Sequence, residues 1–506
     1  MKLNYKRTIL VGFAFFLISA FWQAYDAIVP LILTNHFGLP QTASGVVMSI
    51  DNVLAVVLLP VFGALSDRVM TRYGKRTPFI VIGAVAAVIT FICLILIDGY
   101  QLSRVLATDI PARYEEAKLL LKEANKALIA AGNSGNEIAL GVAQDLVNSI
   151  NAEIEAITAE TLAITMSNVW PLVGFVGALL VVLISMATFR SPAVALMPDV
   201  TVKPLRSKGN AVINLMGTAG GILVLALGMV FGTSNNHYMN YLGYALSVCG
   251  IMLLGLTVFV LTVKEKRWAK EMAEETERLG IDESPAGVGD EKRSSLSKPE
   301  LKSLFLILAS VALWFIGYNS ITSKYSVYSA NILFFDFNLT LIIAQVAAII
   351  SYIPVGIIAS KIGRKKTILA GIIMLGSAFF AGNFISPGVN QFVMIPIFIL
   401  AGMGWATINV NSFPMVVELA RGGDVGKYTG YYYTASMAAQ IVAPILSGIL
   451  YDLFEISFPN MGMRIVFFAF GTIFVFASFV TMLFVKHGDA KPTAKSVALD
   501  GLGGDD

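Results

Sequence analysis

Long apolar runs alternate with short polar segments along the whole chain. A transmembrane helix needs about 20 apolar residues, and twelve runs approach that length, in two groups of six. The first group lies near residues 8–34, 43–66, 77–98, 168–189, 209–234 and 238–263. The second group lies near residues 302–334, 338–360, 366–386, 390–417, 428–454 and 463–485. The pattern predicts an all-α membrane protein with twelve transmembrane helices in two pseudo-symmetric bundles of six.

Two polar segments divide this pattern. Residues 99–166 have the periodicity of two amphipathic helices, and residues 264–300 are charged and contain Pro, Gly and Ser, a composition typical of a linker. We therefore predict a first bundle at 1–263 with an extracytoplasmic insert at 99–166, a cytoplasmic linker at 264–300, a second bundle at 301–486 and a cytoplasmic tail at 487–506. Two interpretations of the insert stay open: a lid over the outer vestibule, or a tolerated helical insertion.

Composition and charge support a membrane location and orient the chain. Hydrophobic residues make up 56% of the sequence and charged residues 14%, against about 25% charged residues in soluble domains. Lys and Arg collect at the N-terminus, after the second and fourth runs and in the linker, whereas the short loops of the other side contain only Arg464. Because cytoplasmic loops carry the excess of basic residues, we expect both termini in the cytoplasm and a multi-pass protein of the plasma membrane, or of the inner membrane where there are two. The net charge of +3 is spread over these loops and predicts the lipid bilayer, not a nucleic acid, as partner.

The sequence contains few groups that could perform catalysis. Cys93 and Cys249 each lie inside an apolar run, and the three histidines, His36, His237 and His487, are far apart in sequence. The chain contains no G-x-x-x-x-G-K-[ST] loop for ATP. We therefore predict neither an enzyme nor a metal site or cofactor.

A short basic motif follows the second run and is repeated in the second half. The segment "GALSDRVMTRYGKRTPF" begins at Gly63, and "GIIASKIGRKKTIL" begins at Gly356. The first segment resembles the signature of the major facilitator superfamily, whose positions are filled here by Gly63, Asp67, Arg68, Gly74, Lys75 and Arg76. Its longer form, "SDRVMTRYGKRTPFI", is similar to the sucrose/proton symporters and their glycoside-pentoside-hexuronide:cation relatives. The resemblance implies a monomeric secondary transporter that moves a small molecule by alternating access.

The motif predicts an inner gate. A carboxylate at Asp67 can pair with Arg68 or Arg76, or face the positive end of a neighbouring helix, and the resemblance implies that these contacts favour the outward-facing state. Ser360 occupies the corresponding position in the second half, which predicts an asymmetric gate. The expected gate residues are Asp67, Arg68, Arg72, Arg76, Arg190, Asp199 and Glu418.

The apolar first run contains one carboxylate, in "FWQAYDAIVP". An ionisable group inside a membrane costs a few kcal/mol, so the presence of Asp26 in this run indicates a functional role. A carboxylate can accept hydroxyl hydrogen bonds from a sugar and can bind and release a proton, and Trp22 offers a flat face for a sugar ring. We expect Trp22, Gln23, Tyr25 and Asp26 to contact a substrate.

Other polar residues are expected at mid-membrane depth. As further substrate ligands we predict Asn52, Tyr318, Asn319, Gln345 and Gln440. In the relatives, the coupling carboxylates stand at positions that are Ala55, Leu59 and Leu183 here, so we assign coupling to Asp26 or Asp51, or infer that coupling is absent. Lys324 lies near the outer end of its run and is predicted to snorkel to the surface.

The leading hypothesis is symport of a sugar or glycoside with a proton or sodium ion. Two alternatives stay open: a drug or organic-ion antiporter of the same superfamily, and a non-transporting membrane receptor with this fold. The antiporters carry a Gly-Pro motif in the fifth span, whereas "GTAGGILVLALGMVFGTS" contains no proline.

Overall fold

Twelve long helices form the body of the protein. The computed structural model describes residues 3–202, 205–278, 297–417, 419, 425–458 and 461–487. Within these ranges the structure is helical with connecting turns and contains no β-strand. Glu418, residues 279–296 of the predicted linker and residues 488–506 of the predicted tail lie outside the described residues. The all-α fold expected from the hydrophobic pattern is confirmed.

The helices that correspond to the twelve apolar runs are called spans 1 to 12. Spans 1 to 6 are Tyr5–Leu31, Gln41–Arg68, Thr77–Leu106, Trp170–Asp199, Arg206–Phe231 and Leu242–Thr262. Spans 7 to 12 are Lys298–Thr322, Phe337–Ile362, Arg364–Gly382, Met394–Val417, Val425–Ser457 and Gly462–Leu483. Over the described residues, eleven of them are long and apolar enough to cross a membrane, and in span 8 the apolar part is the shorter stretch Phe337–Tyr352.

Spans 1 and 7 are extended in the same irregular way. Span 1 contains Pro30 and continues as a π-helical turn, Ile32–His36. Span 7 is interrupted after Thr322, resumes at Tyr325–Val327 and also ends in a π-helical turn, Tyr328–Leu333. The repeat of this rare feature in both halves agrees with the pseudo-symmetry expected from the sequence, and such turns often occur at functional sites.

Residues between spans 3 and 4 form an antiparallel helical hairpin, Ile110–Ser134 and Glu137–Ser167, which we call the hairpin. Gly135 joins its two helices in the left-handed conformation, with φ of 67°. Span 3 continues beyond residue 98, where we expected it to end, to Leu106, because Leu102 and Val105 are buried against the base of the hairpin. We call the side of the protein that carries the hairpin the outer side, following the predicted orientation.

The two halves meet through pseudo-symmetric pairs of helices. Span 2 packs against span 11, and span 8 packs against span 5. A Cβ atom at Gly45 would lie 2.1 Å from the Pro444 carbonyl oxygen, and one at Gly448 would lie 2.6 Å from the Gln41 carbonyl oxygen. These glycines let spans 2 and 11 approach at their outer ends more closely than any other residue would permit.

Candidate functional site

The two carboxylates predicted as coupling groups, Asp26 and Asp51, lie close together between the two halves. Asp26 in span 1 is exposed although it lies within an apolar helix, and it interacts electrostatically with Asp51 of span 2 and Tyr318 of span 7. The backbone oxygen of Asp26 accepts a hydrogen bond from the Ser326 hydroxyl at 3.4 Å. Asp26 therefore faces the interface between the halves.

Arg190 adds a positive charge to this group. Its Cζ atom lies 5.6 Å from the centre of the Trp22 ring, and its charge interacts with Asp51. Arg190 was predicted to belong to the inner gate, but this residue precedes Asp199 by nine residues, which is about 13 Å along a helix. This distance brings its guanidinium to the level of span 1 residues and away from the gate. We name Asp26, Asp51, Arg190 and Trp22 the charged cluster.

The Trp22 ring is enclosed on several sides. Phe21 and Tyr25 meet it edge to face at 5.5 and 5.3 Å, and Arg190 lies over it. Trp22 is half-buried, and the predicted ligand Tyr25 is completely buried. In this conformation Trp22 therefore does not offer a free flat face to a sugar.

In the second half, the predicted ligand Tyr318 forms a flat aromatic surface with Trp405, which was not predicted. The Tyr318 ring stacks on Trp405 of span 10, with centroids 3.8 Å apart and planes 18° apart. Trp314 supports Trp405 edge to face at 5.2 Å. Both stacked rings are half-buried. Trp405 lies in an apolar run in which an aromatic residue is unremarkable, so no pattern distinguished it before its neighbour was known.

One direct amide bridge joins the halves beside the charged cluster. The Gln345 Nε2 atom of span 8 donates to Gln23 Oε1 of span 1 at 2.6 Å. A Cβ atom at Gly221 of span 5 would lie 3.3 Å from the Gln345 Oε1 atom and 3.5 Å from the Gln23 Oε1 atom. The two predicted ligands are thus brought together, over a glycine that leaves room for their amides.

The remaining predicted ligands are half-buried, and each donates a hydrogen bond to a residue one or four positions away in its own helix. Asn52 donates to the Asp51 carboxylate at 2.7 Å, Asn319 to the Phe315 carbonyl at 2.8 Å, and Gln440 to the Ser436 carbonyl at 3.2 Å. The Asn319 and Gln440 bonds are intrahelical, and an amide with such a bond still has an oxygen available for another partner.

Backbone and side-chain hydrogen bonds close the protein on the outer side. Asp452 at the outer end of span 11 accepts from the backbone N–H groups of Gln41 at 3.0 Å and Thr42 at 2.8 Å. A carboxylate is favoured at this position because the first N–H groups of span 2 lack intrahelical partners. The Asn331 Nδ2 atom of span 7 donates to Asn35 Oδ1 of span 1 at 2.7 Å. We call these contacts, together with the close approach of spans 2 and 11, the outer closure.

Lys324 belongs to the outer closure, and the prediction that it snorkels to the surface is wrong. The side chain is completely buried, and Nζ donates to the Gln41 carbonyl at 3.1 Å. Asp452 interacts with it electrostatically. The interruption of span 7 at this residue turns the side chain toward span 2, so a partner inside the protein replaces water.

The inner motif forms a compact ionic cluster inside the first half. Arg76 donates through Nε to Asp199 at 2.8 Å and through Nη2 to Asp67. Burial opposes its charge, but the hydrogen bond and charge of Asp199, supplemented by Asp67, raise the pKa of Arg76. The gate residues Asp67, Arg76 and Asp199 are thus in contact, whereas Arg68 and Arg72 are exposed outside the cluster.

Glu265, which the sequence analysis did not identify, anchors this cluster to the linker. It is 1% exposed and begins the helix Glu265–Arg278. Its carboxylate accepts from the backbone N–H groups of Lys75 at 2.7 Å, Arg76 at 2.9 Å and Thr77 at 2.8 Å. The motif loop and the linker are almost 190 residues apart in sequence, so local pattern does not connect them.

A cavity of about 350 Å³ lies beneath the hairpin, outward of the outer closure. Residues of the first half, the hairpin and the second half line it, among them Asn35, Gln41, Asn125, Asn151, Asn331 and Asp452. The cavity is therefore an outer vestibule that the outer closure separates from the charged cluster.

Among the described residues, twelve spans in two halves with a polar site between them form the architecture of many secondary transporters. The sequence profile of the Major Facilitator Superfamily matches residues 156–421 and 331–500, and that of MFS/sugar transport proteins matches residues 10–104. The chain belongs to the major facilitator superfamily and is a multi-pass membrane transporter, not an enzyme.

Comparisons with individual proteins agree with this family. Proton-associated sugar transporter A of Homo sapiens is 32% identical over 119 residues, which are 24% of this chain and 15% of that protein. An uncharacterized MFS-type transporter of Methanocaldococcus jannaschii is 26% identical over 308 residues, 58% of this chain and 68% of that protein. The chain thus spans less than a sixth of the length of the human relative.

Solved structures share the fold at low sequence identity. A D-xylose-proton symporter superposes with a TM-score of 0.59 at 16% identity, covering 96% of this chain and 99% of that chain. The inward-open xylose transporter XylE from E. coli gives 0.57 at 14% identity, covering 99% and 100%. A bacterial homologue of the iron transporter ferroportin gives 0.58 at 13% identity, covering 95% and 99%. Proteins described as carriers of different solutes superpose with similar scores, so these likenesses support the fold and leave the substrate undecided.

Proposed function

We propose that the protein carries a sugar or glycoside across the plasma membrane in symport with a proton or sodium ion. The observation that carries the proposal is the exposed Asp26 carboxylate between the halves, opposite Tyr318. Carboxylates accept hydrogen bonds from hydroxyl groups, and aromatic rings pack on the apolar faces of sugar rings. Amide side chains such as those of Gln23 and Gln345 can both donate and accept hydrogen bonds. A neutral polyhydroxylated solute fits this combination.

The balance of charge supports coupling. Asp26 interacts electrostatically with Asp51, and Asp51 in turn interacts with Arg190. With both carboxyl groups ionised, this group of two carboxylates and one guanidinium carries one negative charge. Uptake of one proton or sodium ion would neutralise this charge. Removing an uncompensated charge from the membrane interior stabilises the protein by a few kcal/mol. We assign the coupling site to Asp26, with Asp51 as its electrostatic partner.

The inner cluster is proposed as the inner gate. Asp67, Arg76 and Asp199 are the gate members in mutual contact. All three residues lie in the first half, so the cluster would act by fixing how the inner ends of spans 2, 3 and 4 face the second half, which would favour one conformation over another. Arg68 and Arg72 are exposed and would contribute mainly by their charge at the membrane surface.

Uptake into proteoliposomes tests the substrate class. Labelled mono- and disaccharides are offered with a proton gradient, with a sodium gradient and with neither. We expect accumulation of at least one sugar under one gradient. Failure of every sugar to enter or compete would reject sugar transport. Gradient-driven exit of an organic cation would then favour the antiporter, and the absence of all flux would favour the receptor.

Asp26→Asn tests the coupling residue, with Asp145→Asn on the exposed hairpin surface as matched control. The asparagine keeps the shape of the side chain but binds no proton. We expect gradient-driven accumulation to be lost while exchange of labelled for unlabelled sugar continues. Accumulation equal to that of the control would reject the assignment of coupling to Asp26.

A further inference from the structure

The base of the hairpin is fixed to the first half. Arg104 of span 3 donates to the Ile164 carbonyl at 2.6 Å, and Gln101 donates to the Thr165 hydroxyl at 2.8 Å. Thr165 in turn donates to the Phe37 carbonyl at 2.9 Å. Leu102, Val105, Ile110, Tyr114, Ile157 and Tyr238 form a buried apolar cluster at this base. Since spans 3 and 4 enter and leave the hairpin directly, it must move with the first half.

The middle of the hairpin contacts the second half. Its own apolar cluster includes Leu121 and Val147 and packs against Phe334, which follows the π-helical turn of span 7. A Cβ atom at Gly388, in the loop between spans 9 and 10, would lie 3.6 Å from the Asn125 Cβ atom. Asn125 is 3% exposed. The hairpin thus bridges the outer mouth from one half to the other.

The contacts at the base of the hairpin and those at its middle respond differently when the two halves rock. The contacts at the base join parts of one half and persist when the halves rock. The contacts to Phe334 and Gly388 join different halves, directly above the vestibule and the outer closure. They have to separate before a solute from the outer side can pass.

We propose that the hairpin is an outer lid, carried by the first half, that seats on Phe334 and Gly388 when the outer side is closed and lifts in each transport cycle. By burying apolar surface only in the closed state, it biases the conformational equilibrium toward that state. This role goes beyond sugar symport, since a lid of this kind would serve any substrate that enters or leaves on the outer side.

A reversible tether tests the lid. In a background with Cys93→Ser and Cys249→Ser, the pair Asn125→Cys and Gly388→Cys places two Cβ atoms at 3.6 Å, within the disulfide range of about 3.5–4.5 Å. The single variants are the matched controls. We expect oxidation of the pair to reduce uptake roughly tenfold or more and reduction to restore it. A cross-linked protein that transports as fast as the oxidised single variants would overturn the proposal.

A shortened hairpin gives a second test that needs no substrate. Gly388 has φ of 93°, a conformation that a cysteine adopts with strain, so the pair could fail to cross-link for local reasons. Replacing residues 119–152 by a short turn keeps the cluster at the base and removes the contacts to the second half. We expect a membrane-impermeant maleimide added on the hairpin side to label Asn331→Cys roughly tenfold faster than in the full-length chain.

Equal labelling rates in the shortened and full-length proteins would refute the lid, whatever the uptake assay finds. Faster labelling combined with no sugar uptake would keep the lid and reject the proposed substrate. The two hypotheses therefore fail separately.

Discussion

The outer and inner sides of this transporter use charged groups in different ways. On the outer side, Lys324 and Asp452 belong to the second half and bind backbone groups of Gln41 and Thr42 in the first half. On the inner side, Arg76 binds Asp67 and Asp199, and all three belong to the first half. The outer groups therefore act between the moving parts, whereas the inner groups brace one of them in this conformation.

A motif that is easy to find in the sequence therefore need not contain the contacts that join the two halves. The inner cluster matches a signature that the sequence makes easy to find. The outer closure depends on one turn of backbone, two glycines and a lysine in an interrupted helix. Three of its hydrogen bonds are made to backbone groups of Gln41 and Thr42, and every sequence contains such peptide groups.

The largest effect should come from forcing the outer closure apart. We expect Gly45→Leu to shift the protein toward an outward-open state, because a Cβ atom would lie 2.1 Å from the Pro444 carbonyl oxygen. Overpacking costs about 1–3 kcal/mol, so Asn331→Cys should label with impermeant maleimide roughly tenfold faster, at about 1.4 kcal/mol per factor of ten.

Gly250→Leu is the matched control, since a Cβ atom at Gly250 in span 6 meets nothing within 4 Å. Both variants are compared in a background free of Cys93 and Cys249. If Gly45→Leu and Gly250→Leu label at the same rate, spans 2 and 11 do not hold the outer side closed.

A smaller effect, on stability and not on accessibility, should follow from weakening the inner cluster. Glu265→Gln replaces one acceptor oxygen by an N–H₂ group facing the backbone donors of Lys75, Arg76 and Thr77. Leaving buried donors without an acceptor costs about 1–3 kcal/mol. We expect a lower Tm in detergent with unchanged maleimide labelling on the hairpin side.

The control for this change is Glu274→Gln, on the exposed face of the same helix. Its pair with Lys270, at 3.6 Å, should contribute less than about 1 kcal/mol. An increase in outer labelling by Glu265→Gln would mean that the inner cluster also controls the outer side, and the contrast between the two sides would fail.

The smallest effect should be a pH dependence of the stability, caused by His237 at the base of the hairpin. Burial, with the charges of His36 and Lys118, holds the pKa of His237 well below its usual range, and its ring stacks on Tyr114 at 3.7 Å. The unfolded chain takes up a proton near pH 6.5, which the folded histidine does not. Stability is therefore lost as the pH falls through 6.5, by about 1.4 kcal/mol at one unit below.

Comparison of Tm values for the wild type and His237→Gln, from about pH 7.5 to pH 5.5, checks this sign. We expect the wild type to lose stability relative to the variant as the pH falls. Parallel curves would show that His237 takes up its proton equally in the folded and unfolded states.

The fold could be predicted from sequence because the membrane imposes a simple rule. Apolar runs of sufficient length must be helices, since lipid offers no partner for backbone groups. The observed spans accordingly start and end within a few residues of most predicted runs, for example Gly462–Leu483 for 463–485. Span 3 extends further to Leu106 because contacts with the hairpin, absent from any hydropathy pattern, bury its last turn.

The candidate site was predictable only in part. A carboxylate in an apolar run is conspicuous, and Asp26 could be found on that ground alone. Arg190 directly follows the predicted fourth run, a position where a basic residue is ordinary, so the sequence offered no reason to associate it with Trp22. Trp405 is one aromatic among many, and its stacking on Tyr318 depends on how spans 7 and 10 pack.

The sequence by itself determined the twelve helices, the division into halves and the motif of the inner cluster, because each follows from local composition and spacing. Tertiary structure alone decided which charges meet. Lys324 lies at the outer end of span 7, as expected, but is buried against Gln41 instead of snorkelling, since helix packing fixes the direction of a side chain. The contacts of the hairpin with Phe334 and Gly388 likewise join residues that are distant in sequence and meet only when the two halves come together.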